Sequence, residues 1–96
     1  MNIDYTSIPS HMQASARRYI EQGIAPGSFL TAVICNDLAG AFGRADDINL
    51  ASMRDWVSFF YNEAPSPCWG SKAKMDAWLA RGGMRGALAV DEGAGQ

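Results

Sequence analysis

The stretch FLTAVICNDLAGAFG, residues 29–43, decides the fold class. Taken alone, Phe29 to Cys35 is a short run of apolar and β-branched residues that reads as a buried strand. Read onward, Phe29, Leu30, Val33, Ile34, Leu38, Ala41 and Phe42 recur at the three- and four-residue spacing of one helix face. The longer pattern outweighs the shorter, so one continuous helix is expected, with Ser28 as its N-cap and Gly43 as its stop. Asp37 is the misfit. It falls between the rows of Leu30, Ile34 and Ala41, and a carboxylate there must find a charged or hydrogen-bonding partner. Arg17, Arg18, Arg44 and Arg54 are the cations on hand. Pinning of a neighbouring loop or helix terminus is the favoured role for Asp37; a pocket wall shared with Asn36 is the alternative.

Working toward the N-terminus, IPSHMQASARRYIEQGI reads as a helix over about residues 11–22. Ser10 and Gln13 have the spacing of a capping box, and Met12, Ala16, Tyr19 and Ile20 recur on one face. Gly23 suits a left-handed stop, with Ile24 placed for the apolar contact that accompanies one. On the other side, RADDIN offers Asp46 or Asp47 as caps for a third helix over residues 47–63. Ile48, Leu50, Met53, Trp56, Val57, Phe59, Phe60 and Tyr61 surround most of its circumference, the signature of a central helix. Pro65 stops it, Ser71 caps a fourth helix carrying Met75, Trp78 and Leu79, and Gly82-Gly83 end that helix. The expected fold is therefore all-α: a compact bundle of about four short helices with helix three at its centre, one domain over residues 1–83, and a flexible tail over residues 84–96.

Composition agrees with a single soluble domain. In 96 residues, 48% are hydrophobic and 19% charged, far from the signature of disorder. Ten acids against eight bases give a net charge of −2, too mild to announce a nucleic-acid partner. Arg17 and Arg18 with Lys72, Lys74, Arg81 and Arg85 form a basic strip only if the first and fourth helices are neighbours, and a solvated face is the simpler reading. Cys35 and Cys68 have neither metal-type spacing nor a disulfide framework, as expected of free thiols in a reducing cytosol. The N-terminal residues lack a basic start followed by an apolar run, and no segment approaches the roughly 18 uninterrupted apolar residues of a membrane span.

Reactive constellations are sparse. A Cys68–His11 pair would need proximity that nothing in the spacing implies. Asp46, Asp47 and Asn49 lack the ligand alternation, central glycine and closing glutamate of a calcium loop, so capping accounts for them. No zinc pattern, phosphate-cradling glycine loop or paired catalytic carboxylates appear, so neither catalysis nor a cofactor or metal is expected. The corner PSPCWGS, residues 65–71, is read as structural, with Pro65 and Pro67 setting direction and Trp69 folded against helix three. The polar residues held at its surface, Asn62, Glu63, Ser66 and Lys72, are then the candidate contacts for a partner.

The runs IPSHMQASARRYIEQGIAPGSFLTAVICNDL, GRADDIN and FFYNEAPSPCWGSKAKMDAWL together resemble a family of small, largely uncharacterised accessory proteins of tailed phages and prophages. The likeness spans about residues 8–80 and carries over no functional residue. It implies a setting in the host cytoplasm and a host protein or complex as partner, in the manner of inhibitors of CRISPR and other bacterial defence systems. The alternative within that setting is a small-ligand binder that sequesters a nucleotide signal, with a pocket drawn from Arg18, Tyr19, Asn36 and Asp37.

Overall fold

The protein is described by a computed structural model that covers residues 3–86. Its elements in chain order are α1 (Ser10–Gln22), α2 (Ser28–Ile34), α3 (Leu38–Arg44), α4 (Asp47–Ala51), α5 (Met53–Asn62), a short 3-10 turn over Ser66–Cys68, and α6 (Lys72–Arg81). The described residues contain no strand, so the helical reading of residues 29–43 holds for class. The four-helix count does not.

Two expected helices are each divided. The break in residues 28–43 is written in the dipeptide Asn36-Asp37. Asn36 takes the left-handed conformation, φ 61°, that glycine usually supplies after a helix end. Its amide donates to the carbonyl of Val33 at 3.1 Å, and the amide of Asp37 donates to that of Ala32 at 2.8 Å, which closes α2. Asp37 then opens α3 as its N-cap, its carboxylate accepting from the amide of Gly40 at 3.0 Å. The misfit on the continuous-helix reading is thus the start signal of a second helix, and none of the four arginines is needed to explain it. Residues 47–62 divide at Ser52, whose amide is shared between the carbonyls of Ile48 and Asn49.

Caps elsewhere follow expectation in part. Asp46 caps α4 through the amide of Asn49 at 2.7 Å, and Ser71 caps α6 through the amide of Lys74 at 3.1 Å. Ser10 and Ser28 are instead the first residues of their helices, after Pro9 and Gly27, and make no capping bond; Gln13 donates to the carbonyl of Ile8. Gly23 ends α1 in the left-handed region as expected.

The core is aromatic. Trp56, Phe59 and Phe60 of α5 are buried against Phe29 and Leu30 of α2 and Tyr19 and Ile20 of α1. Phe29 meets Trp56 edge-on at 5.7 Å, and Phe59 meets Phe60 likewise at 5.2 Å. Residues ahead of the first helix, which the sequence reading left out, belong to this core: Tyr5 and Ile8 are buried, and the Tyr5 ring lies 5.5 Å from that of Phe59. The helix expected to be apolar all round is not. Ile48, Leu50, Val57 and Tyr61 face outward. Met84 packs against the core within a helical turn at residues 83–86, so these residues do not belong to the flexible tail expected over 84–96; residues 87–96 lie outside the described residues.

Asn49 turns inward rather than serving the α4 cap with its side chain. It is buried, and its carboxamide oxygen accepts the indole N–H of Trp56 at 3.1 Å. Removing that acceptor strands a buried donor. Asn49→Ala is therefore expected to lower the unfolding free energy by about 1–3 kcal/mol, read from the urea midpoint, and the cost should largely vanish in a Trp56→Phe background.

The ends of α1 and α6 meet backbone to backbone. The Trp78 indole N–H is shared between the carbonyls of Tyr19 and Ile20, at 3.2 and 3.1 Å, and so satisfies the terminus of α1 from across the core. Beyond it the chain passes so close that a Cβ on Gly83, where φ is 68°, would lie 2.5 Å from the amide nitrogen of Gly23.

Candidate functional site

The PSPCWGS corner is built inward from its middle. Cys68 is fully buried, its amide donates to Pro65, and its carbonyl accepts the Tyr19 hydroxyl at 2.6 Å. The amide of Gly70 donates to the carbonyl of Ile34 at 2.7 Å and ties the corner to the end of α2. Trp69 between them is half-buried, its ring 5.7 Å from Phe60 and 6.5 Å from Tyr61. The tryptophan packs on α5 as expected, yet its free side forms a wall. Here the α2–α3 turn, one row of α5 and Trp69 enclose a groove of about 230 Å³.

Val33, Leu38, Ala41, Met53, Val57 and Trp69 line this groove, with Asn36 and Asp37 at its rim. Its walls stand in water. Leu38 is 69% exposed and Val57 51%, while Tyr61, one turn beyond Val57 and edge-on to Trp69, is 78% exposed. Phe42 continues the row of Leu38 one turn along α3 and is also exposed. Helical spacing therefore gives α3 an exposed apolar row of Leu38 and Phe42 and α5 one of Val57 and Tyr61, of which Leu38 and Val57 line the groove.

Behind the same turn lies a second, open depression of about 430 Å³, where the polar side chains of Ser28, Thr31, Asp37, Arg44 and Lys72 stand among apolar surface from Pro26, Ala32 and Cys35. Asp37 and Ala32 border both spaces. Arg44 donates weakly to the carbonyl of Gly40 at 3.4 Å, and Lys72 pairs with Asp76 at 3.1 Å.

Neither thiol is activated. Burial pushes Cys68 up to about 12 and also raises Cys35, whose thiol rests 3.5 Å from the Met75 sulfur. His11 bonds Asp46 at 3.0 Å on the exposed face, and the Asn49 amide with His11 holds the Asp46 carboxyl below its ordinary range.

The residues singled out from sequence fall in different places. Asn62, Glu63, Ser66 and Lys72 are exposed, but only Lys72 borders a depression. Asn62 folds back on its own helix, donating to the carbonyl and hydroxyl of Ser58. Asn36 and Asp37 line the groove, whereas Tyr19 is a core residue whose phenol is raised by burial, and neither it nor the exposed Arg18 lines either space. Those four residues do not make one pocket. Leu38, Val57 and Arg44 were not singled out as site residues, because their types fit an ordinary helix pattern; the Asn-Asp helix break was the signal that would have exposed them. Among the basic strip, Arg17 forms a loose ion pair with Glu21 at 3.9 Å and lies over Tyr5, and Arg81 lies over Trp78. Among the described residues no group of His, Cys, Asp or Glu is placed to hold a metal ion, and no helix is long and apolar enough to cross a membrane. No family model, curated protein or solved structure matches the chain.

Proposed function

We propose that the protein is a non-enzymatic accessory protein of a phage or prophage that binds a host protein in the host cytoplasm and disables a bacterial defence complex. The observation that carries the binding half is the groove: a domain that buries a full set of aromatic residues leaves Leu38, Val57 and Tyr61 in water, where solvation of large apolar side chains favours covering them. The half-buried Trp69 ring beside them is the residue type that most often anchors an interface. An apolar trough lined by Leu38 and Val57 matches one face of an amphipathic helix, whose own side chains at three- and four-residue spacing enter the trough. The defence setting rests on the resemblance to phage accessory proteins.

The test uses tagged wild-type protein and two variants in a host lysate. Wild type should retain a stoichiometric host protein, Leu38→Lys with Val57→Lys should lose it at least tenfold, and Asn62→Ala with Glu63→Ala should keep it. Both pairs are exposed, so melting near wild type is expected for each. Retention by the lysine variant, or a wild-type protein whose groove is closed by self-association in light scattering, would overturn the proposal.

A further inference from the structure

The open depression behind the α2–α3 turn carries two cations and two hydroxyls, and so calls for a ligand of different chemistry from the groove. We propose that it binds a small phosphate monoester whose remainder carries hydroxyl or amino donors, such as a sugar phosphate or a nucleoside monophosphate. The argument is an inventory of donors and acceptors. Arg44 brings five N–H groups, of which one makes a long bond to Gly40, and no carboxylate of the described residues lies within ion-pair distance of it. Lys72 brings three, directed in part to Asp76. The Thr31 hydroxyl is 3.5 Å from the carbonyl of Pro26, at the limit of a hydrogen bond, and the Ser28 hydroxyl borders the same space.

Against these donors the cleft offers one carboxylate on its lining, Asp37, with one oxygen held by the amide of Gly40. Donor excess selects a ligand rich in acceptors. A phosphate monoester presents three terminal oxygens and more than one negative charge, which two cations and two hydroxyls can share, and a guanidinium recognises it in bidentate fashion. The second Asp37 oxygen, which lies over Gly40 beside the Arg44 guanidinium, decides the rest. A bare anion is repelled by it, and Asp76 further offsets Lys72, so simple charge attraction contributes little here. A ligand that also donates a hydroxyl or amine to Asp37 converts that repulsion into a bond. The depression is open to solvent, and its space of about 430 Å³ is enough to admit a ligand of that size.

This inference does not depend on the groove, and its test separates the two. Titration calorimetry at fixed ionic strength is run with ribose 5-phosphate, adenosine 5′-monophosphate, adenosine and inorganic phosphate. Both monoesters, or the one whose remainder fits, should bind saturably at one per chain, with adenosine and inorganic phosphate at least tenfold weaker. Arg44→Gln and Lys72→Gln should each weaken binding by about tenfold or more, the loss of one charge-assisted bond, while the far-ultraviolet spectrum stays that of wild type. Asp37→Asn keeps a capping side chain and should reduce the preference for the monoester over inorganic phosphate. Leu38→Lys with Val57→Lys should leave monoester binding intact. Absence of saturable binding, inorganic phosphate binding as tightly as the monoesters, or indifference to Arg44→Gln and Lys72→Gln would overturn the assignment.

Discussion

Trp78→Ala is expected to cost a large share of the stability of this domain. The side chain is buried, so truncation removes an aromatic payload and opens a cavity, about 3–5 kcal/mol where a whole domain has about 5–15. It also withdraws the indole donor from α1. The carbonyl of Tyr19 keeps the Gly23 amide, but that of Ile20 loses its bond from Trp78 at the negative end of the helix. Trp78→Phe separates the two effects: much of the apolar volume returns, and a residual loss of about 1–3 kcal/mol reports the missing donor. Guanidinium unfolding of the three proteins gives both numbers. A phenylalanine variant as stable as wild type would show that the shared indole bond contributes nothing.

Gly83→Ala is the second large effect. A Cβ there would stand 2.5 Å from the Gly23 nitrogen and 2.8 Å from the Ile20 carbonyl oxygen, both backbone atoms that cannot rotate away. With φ at 68° the alanine is also held in the left-handed region, so a loss of about 3 kcal/mol or more is expected from strain and displacement together. Gly82→Ala is the control. Its φ is 79°, but a Cβ would meet nothing closer than 3.4 Å, so only the conformational cost of about 1–2 kcal/mol should appear. Equal melting of the two variants would show that the ends of α1 and α6 can separate freely.

What was legible in the sequence follows from the range over which each signal acts. Helix class, the limits of the first helix and the Ser71 and Asp46 caps rest on neighbours three or four residues apart, and those the chain displays directly. The division at Asn36-Asp37 was displayed too, but hydrophobic spacing ran straight through it: Leu38 and Phe42 continue the period of Leu30 and Ile34 while belonging to another helix. Periodicity reports phase, and phase survived a break in the axis. Which apolar residues are buried was not legible. Ile48, Leu50, Val57 and Tyr61 look like Trp56 and Phe60 in sequence, and only the placement of α2, α3 and the corner against one side of α5 separates the two sets. Tyr5 and Ile8 were hidden for the opposite reason: they precede the first periodic segment and belong to the core, Tyr5 against Phe59 far along the chain. The candidate site was misplaced with them, since an apolar groove is made of residues that sequence assigns to the interior.

The bond from Trp78 to Tyr19 spans 59 positions, and it bears on how the chain is made. A polypeptide grows from its N-terminus, so α1 emerges first and waits with an uncovered end until α6 has been synthesised. Helical proteins usually fold fast because their contacts are local; here the bond that covers the end of the first helix requires closing a long loop. A nascent chain stalled before Trp78 has been made would therefore hold α1 closed by Gly23 but with the Ile20 carbonyl left to water.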